Sequence, residues 1–99
     1  MFKDLDPVLH SQLRLSIISF LVGVKSATFT YLLEKTGATK GNISVQLKKL
    51  EEAGYINIDK SFQDNYPRTT CKITETGLKA FKDYVDALRE YINKDIDSR

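Results

Sequence analysis

Gly37-Ala38-Thr39 is all that separates two stretches of helical periodicity, and no other feature of this 99-residue chain restricts its fold so strongly. Upstream, Phe29, Leu32 and Leu33 mark a short helix with Thr28 as its cap and Gly37 as its stop. Downstream, TKGNISVQLKKLEEAGYI has a start signal at Thr39, whose hydroxyl can accept the N–H of Asn42, and a stop at Gly54. So short a link forces the two helices to cross steeply, as in a helix-turn-helix.

The remaining elements follow from periodicity and punctuation. Asp6-Pro7 predicts the start of a first helix, with Asp6 capping free N–H groups and Pro7 at a position where its missing donor costs nothing. Val8, Leu9, Leu13, Ile17, Phe20 and Leu21 then recur at helical spacing to about Val22. Leu15 and Ile18 fall off that face, so the helix is apolar on more than one side. Lys25 to Thr28 reads as a short polar connection. Beyond Gly54, Tyr55 to Lys60 alternates with Ile56 and Ile58 on one face, and Thr69 to Ile73 aligns Thr69, Cys71 and Ile73. Between these strands SFQDNYPR, Ser61 to Arg68, is rich in turn formers and predicts a hairpin with a long tip. Thr74 caps a last helix reaching about Asp95. The expected fold is mainly α with a small β-hairpin, in the order helix, helix, helix, hairpin, helix, as a single domain over residues 1–99.

The third helix has an unusually narrow apolar stripe. With Ile43 at the origin and 100° per residue, Leu47 and Leu50 fall within about 40° of it. Gly41, Val45, Lys48 and Lys49 point the opposite way, with Asn42 and Ser44 beside them, while acid is confined to Glu51 and Glu52 in the last turn. A small first turn allows close approach to a duplex. Lysines there neutralise phosphates or reach a guanine edge, asparagine pairs with adenine, and Val45 suits a thymine methyl. Charge agrees with this placement. From Lys25 to Lys72 eight Lys or Arg stand against five Asp or Glu, although the whole chain carries only +2. Around the hairpin, Lys60, Arg68 and Lys72 are further candidates for backbone contact, Arg68 foremost because Pro67 stiffens the approach to it.

The phrases FTYLLEKTGATKGNISVQLKKLEEAGYI, PRTT and ITETG resemble the small winged-helix transcriptional regulators related to the MarR and ArsR groups, over roughly Leu5 to Leu88. The resemblance implies a winged helix-turn-helix whose third helix enters the major groove of double-stranded DNA and whose hairpin tip touches the flanking backbone. It places Lys40, Asn42, Ser44, Val45, Lys48 and Lys49 at or near the DNA. One departure is plain: relatives commonly carry Gly with Lys or Arg at the hairpin tip, and this chain has Asp64-Asn65.

On the last helix Leu78, Phe81, Val85, Leu88 and Ile92 are spaced 3, 4, 3 and 4, a seam of two heptads. Together with Tyr84 and Tyr91 beside it, Leu15 and Ile18 on the extra apolar side of the first helix, and the habit of the family, it predicts a homodimer. A seam that only covers its own domain is the alternative. His10, the one histidine, is expected on a helix surface, and Cys71, the one cysteine, as a buried inert thiol without a disulfide or metal role. The expectation is a cytoplasmic protein with no membrane segment, cofactor, metal or small-molecule ligand, since neither an apolar leader nor a long apolar run is present. No phosphate loop, nucleophile elbow or catalytic carboxylate pair stands out, so an enzyme is not expected. Two rival functions remain: a winged-helix protein-interaction module without DNA, and a non-specific architectural DNA binder.

Overall fold

In a computed structural model that describes residues 2–97, with side chains through residue 93, the chain forms four helices and three strands among the described residues. Met1, Ser98 and Arg99 of the expected domain lie outside them. The order is α1 (Gln12–Val24), β1 (Ser26–Thr28), α2 (Phe29–Thr36), α3 (Lys40–Glu52), β2 (Ile56–Gln63), β3 (Tyr66–Ile73) and α4 (Glu75–Asp97). The strands make one antiparallel sheet in the order β1-β3-β2.

Local chemistry sets most boundaries. Thr28 Oγ1 accepts the N–H of Tyr31 at 3.1 Å, Thr39 Oγ1 that of Asn42 at 3.2 Å, and Thr74 Oγ1 that of Gly77 at 3.0 Å. Each such cap contributes about 1 kcal/mol. Gly37 (φ 68°) and Gly54 (φ 80°) take the left-handed conformation that ends α2 and α3. The core then gathers Leu9, Ile17, Ile18 and Leu21 with Leu32 of α2, the Ile43, Leu47 and Leu50 stripe of α3, and Ile56 and Cys71 of the sheet. Cys71 sits where all three strands meet, opposite Ala27 on one side and Ile58 on the other. Burial, and secondarily the charge of Glu51, pushes its thiol from 9.0 to about 11.

Four expectations need correction. First, α1 begins at Gln12, not at Asp6-Pro7. Asp6 caps a separate turn, accepting the N–H of Val8 at its carboxylate and those of Leu9 and His10 at its carbonyl. An extended Ser11 (φ −150°) interrupts the chain before the helix starts. His10 therefore lies on that turn, with Nδ1 3.0 Å from the Tyr84 hydroxyl. Second, the polar connection contains β1, whose three residues pair with Thr70 to Lys72 of β3. Third, the hairpin has a tight tip. Gln63 pairs with Tyr66, leaving only Asp64 (φ 52°) and Asn65 (φ 67°) to turn the chain. Both tolerate left-handed backbone, as a two-residue turn matched to strand twist requires.

The fourth correction concerns α4. Its inward row is Gly77, Tyr84 and Ala87, with half-buried Ala80 between them, one residue out of step with the expected seam. Gly77 is required there: a Cβ would lie 2.2 Å from the carbonyl oxygen of Tyr55. That carbonyl accepts the N–H of Thr74, and Thr74 donates its hydroxyl to Gly54 O at 2.7 Å, locking α4 to the end of α3. Tyr84 is 5% exposed and Ile18 fully buried within the chain's own core, so neither has surface left for a partner. The Tyr55 hydroxyl donates to the Asp6 carboxylate, and burial together with that bond raises it from 10.0 to about 12. The radius of gyration, 15.4 Å, exceeds the ~13 Å of a compact chain this long. The molecule spans 59 × 25 × 20 Å.

Candidate nucleic-acid interface

α3 is anchored by one side and open on the other. Ile43 and Leu50 are fully buried and Leu47 nearly so, whereas Val45, 51% exposed, stands among exposed Lys40, Gly41, Asn42, Ser44, Lys48 and Lys49. Among the described residues none of these lysines forms a salt bridge. Their charge is available to a ligand. Gly41 has an ordinary helical backbone and nothing within 4 Å of where a Cβ would be. A glycine within a helix costs up to about 1 kcal/mol relative to alanine, and here, in the first turn of α3, no contact within the fold demands it.

A hydrogen-bonded relay reaches this face from half-buried Arg14 on α1. Arg14 Nε donates to Val8 O at 2.6 Å, its Nη1 donates to Gln46 Oε1 at 2.5 Å, and Gln46 Nε2 donates to Asn42 Oδ1 at 3.0 Å. That bond occupies one lone pair of Asn42 Oδ1 and leaves its NH₂ and the other lone pair over. Neither Arg14 nor Gln46 was expected from the sequence to serve this face. The Asn42–Gln46 spacing of four residues was a local signal for half of the relay. The Arg14 link spans 32 residues and had none.

The hairpin ladder sorts its side chains. Ile56↔Ile73, Ile58↔Cys71, Lys60↔Thr69 and Phe62↔Pro67 share the core-facing side, while Asn57↔Lys72, Ser61↔Arg68 and Gln63↔Tyr66 share the other. Lys60 therefore joins Thr69, Ser44, Lys48 and Phe29 around a groove of about 590 Å³ between α3 and the hairpin. Arg68 and Lys72, expected beside it, are on the far side of the sheet. The structure brings Lys60, rather than Arg68, to α3. Pro67 lies past the end of β1, where β3 is an edge strand that accepts a residue without a donor.

One family profile, that of a winged helix DNA-binding domain, matches residues 13–92. The chain belongs to this winged-helix family. It is 40% identical over 78 residues to an uncharacterized protein of Methanocaldococcus jannaschii, a match covering 79% of this chain and 85% of that protein. A transcriptional regulator homologue from Pyrococcus horikoshii OT3 is similar in structure, with 29% identity and a TM-score of 0.83 over 88% of this chain and 86% of the other. A putative transcriptional regulator from Thermoplasma acidophilum gives 28% and 0.69 over 95% and 98%. The structural neighbours are MarR-like transcriptional regulators.

In the winged-helix topology α2 and α3 are the helix-turn-helix and β2–β3 the wing. Outward from Ser61 this wing carries no cation until Arg68; its tip holds Asp64 instead, flanked by Phe62 at 77% and Tyr66 at 75% exposure. Among the described residues no cluster of His, Cys, Asp and Glu is placed to hold a metal ion, and no helix is long and apolar enough to cross a membrane.

Proposed function

We propose that this winged-helix protein is a sequence-specific transcriptional regulator that binds double-stranded DNA as a homodimer in the cytoplasm, with α3 in the major groove and the wing on the flanking duplex. The observation that carries the reading is the outward face of α3, which pairs three unbridged lysines with small residues and one exposed apolar side chain behind a fully packed stripe. Lys40, Lys48 and Lys49 neutralise phosphates, and the helix N-terminus adds partial positive charge. Asn42, hydrogen-bonded to Gln46, presents an acceptor and a donor to an adenine edge, and Val45 meets a thymine methyl.

The dimer reading rests on α4. Leu78, Val85 and Ile92, seven residues apart, form a row beside the inward face, and Ile92 is 50% exposed. Phe81 and Leu88, half-buried, lie between that row and the inward face, whereas Tyr91, expected in the interface, continues the inward row and stacks on Phe2 at 4.3 Å, and Leu15 on α1 is half-buried against the core. A two-fold axis along such a row sets two recognition helices for successive major grooves, about 34–36 Å apart. Selection of bound duplexes from a random library, followed by salt titration, tests the whole reading. An enriched palindrome supports it, binding without enrichment makes the protein architectural, and no binding makes it a protein-interaction module. Val85→Asp with Ile92→Asp should run as a folded monomer in sedimentation and lose most affinity for the palindrome, because its half-sites no longer bind together. A dimer that survives both substitutions moves the interface off α4.

A further inference from the structure

The two most exposed large apolar side chains, Phe62 and Tyr66, flank the tip of the wing and have no role so far. The ladder puts them on opposite sides of the ribbon, Phe62 beside Pro67 and Tyr66 beside Gln63. They do not form one patch. A flat protein surface covers only one of them at a time, whereas a groove bounded by two walls meets both. The tip between them is narrow, a two-residue turn whose one charge is the carboxylate of Asp64. Phosphate attraction is therefore not what this tip offers.

We propose that the wing grips DNA through aromatic contact, with Phe62 and Tyr66 packed on the deoxyriboses that edge the minor groove next to the major groove holding α3. The inference rests on the DNA-binding reading above and names the chemistry of its second contact. Reach supports the placement. From half-buried Ile58, the last β2 residue packed on the core, to Asp64 is six residues, about 20 Å of strand. Half a turn of duplex is about 17 Å. The minor groove, about 6 Å wide, admits the turn but not the rings, which come to rest against its two rims. The sugars there are the apolar part of the backbone, and they tolerate a neighbouring carboxylate better than phosphate oxygens do. Asn65, alongside, offers both a donor and an acceptor to the groove floor.

Phe62→Thr with Tyr66→Thr removes both rings and keeps residues suited to strands. Both positions are exposed, and circular dichroism and thermal melting check that the sheet persists. On a duplex selected by the wild-type protein, the double variant should bind about a hundredfold more weakly, roughly tenfold per ring. The dependence of log Kd on log salt should keep its slope, because no ion pair is lost. Lys48→Ala, measured alongside, should lower that slope by about one. Hydroxyl-radical cleavage should show wild-type protection of minor-groove sugars half a turn from the α3 site, absent in the double variant. Unchanged affinity and protection in the double variant overturn the aromatic grip while leaving α3 on the DNA. A wild-type protein that binds no duplex overturns both readings.

Discussion

α3 turns lysines and small polar residues to solvent behind a stripe that is almost wholly buried; the outer half of the wing has no buried side at all. Ile43, Leu47 and Leu50 hold the helix against α1 and the sheet, and the Arg14–Gln46–Asn42 hydrogen bonds tie an exposed side chain of α3 back to α1. Past Ile58 and Thr69 the two wing strands pair with each other and close in a left-handed turn, with every side chain from Phe62 to Arg68 exposed. A rigid element suits hydrogen bonds, which weaken steeply with misalignment, whereas an aromatic contact tolerates displacement. In the proposed complex, directional contacts belong to α3 and non-directional ones to the wing.

Leu47→Ala offers the largest break in that comparison. Truncating this buried side chain should cost about 2–5 kcal/mol in denaturant unfolding, while Phe62→Thr on the wing should stay within about 0.5 kcal/mol. A Leu47 effect as small as that of Phe62 would mean α3 is not anchored by its stripe.

Next in size come Lys48→Ala and Lys49→Ala. Each should weaken DNA binding several-fold at moderate salt and lower the salt slope by about one, with the melting transition unmoved. If neither changes affinity, α3 leaves the interface and the comparison loses one of its sides.

Gly41→Ala should separate stability from function. Without a steric conflict in the fold, the substitution should stabilise the helix by up to about 1 kcal/mol, yet weaken DNA binding in the proposed complex, where the added methyl group would face the duplex. Tighter or equal binding would show that the first turn of α3 stands clear of the DNA.

The smallest effect belongs to Asp64→Lys. Replacing a repulsive charge near phosphates should tighten binding by about 1 kcal/mol or less at low salt, fading as salt rises. Absence of any gain at low salt would put the tip out of reach of the backbone.

These contrasts also explain what could be read in advance. The caps at Thr28, Thr39 and Thr74 and the stops at Gly37 and Gly54 are local, so their residues announce them. The outer wing does not, because alternation reports burial and nothing lies there to bury against. Its strands continue to Gln63 and from Tyr66 through backbone pairing and the Asp64-Asn65 turn alone. β1 is defined by partners more than forty residues away, such as Cys71 opposite Ala27, and three residues carry no period. On α4 the large apolar side chains advertise one face, but the helix packs through Gly77 and Ala87, which are small enough for close approach. Bulk signalled a stripe and smallness decided the packing. On the α3 face every expected side chain is exposed as its wheel position implies. In the wing the same alternation, carried one step further, separates Lys60, in phase with Ile56 and Ile58, from Arg68 and Lys72, out of phase with Thr69, Cys71 and Ile73.

Cys71, at the meeting of the three strands, has a consequence for measuring the fold itself. Its thiol stays protonated until about pH 11 in the native sheet, against 9.0 when free. A raised folded value means that the associated stability is complete below pH 9 and drains away as pH climbs toward 11. At neutral pH the sulfur is unreachable until the sheet parts, so an alkylating reagent counts openings of the molecule one by one. The protein thereby carries its own clock for spontaneous unfolding, and any duplex that binds the folded state should slow it in proportion to occupancy.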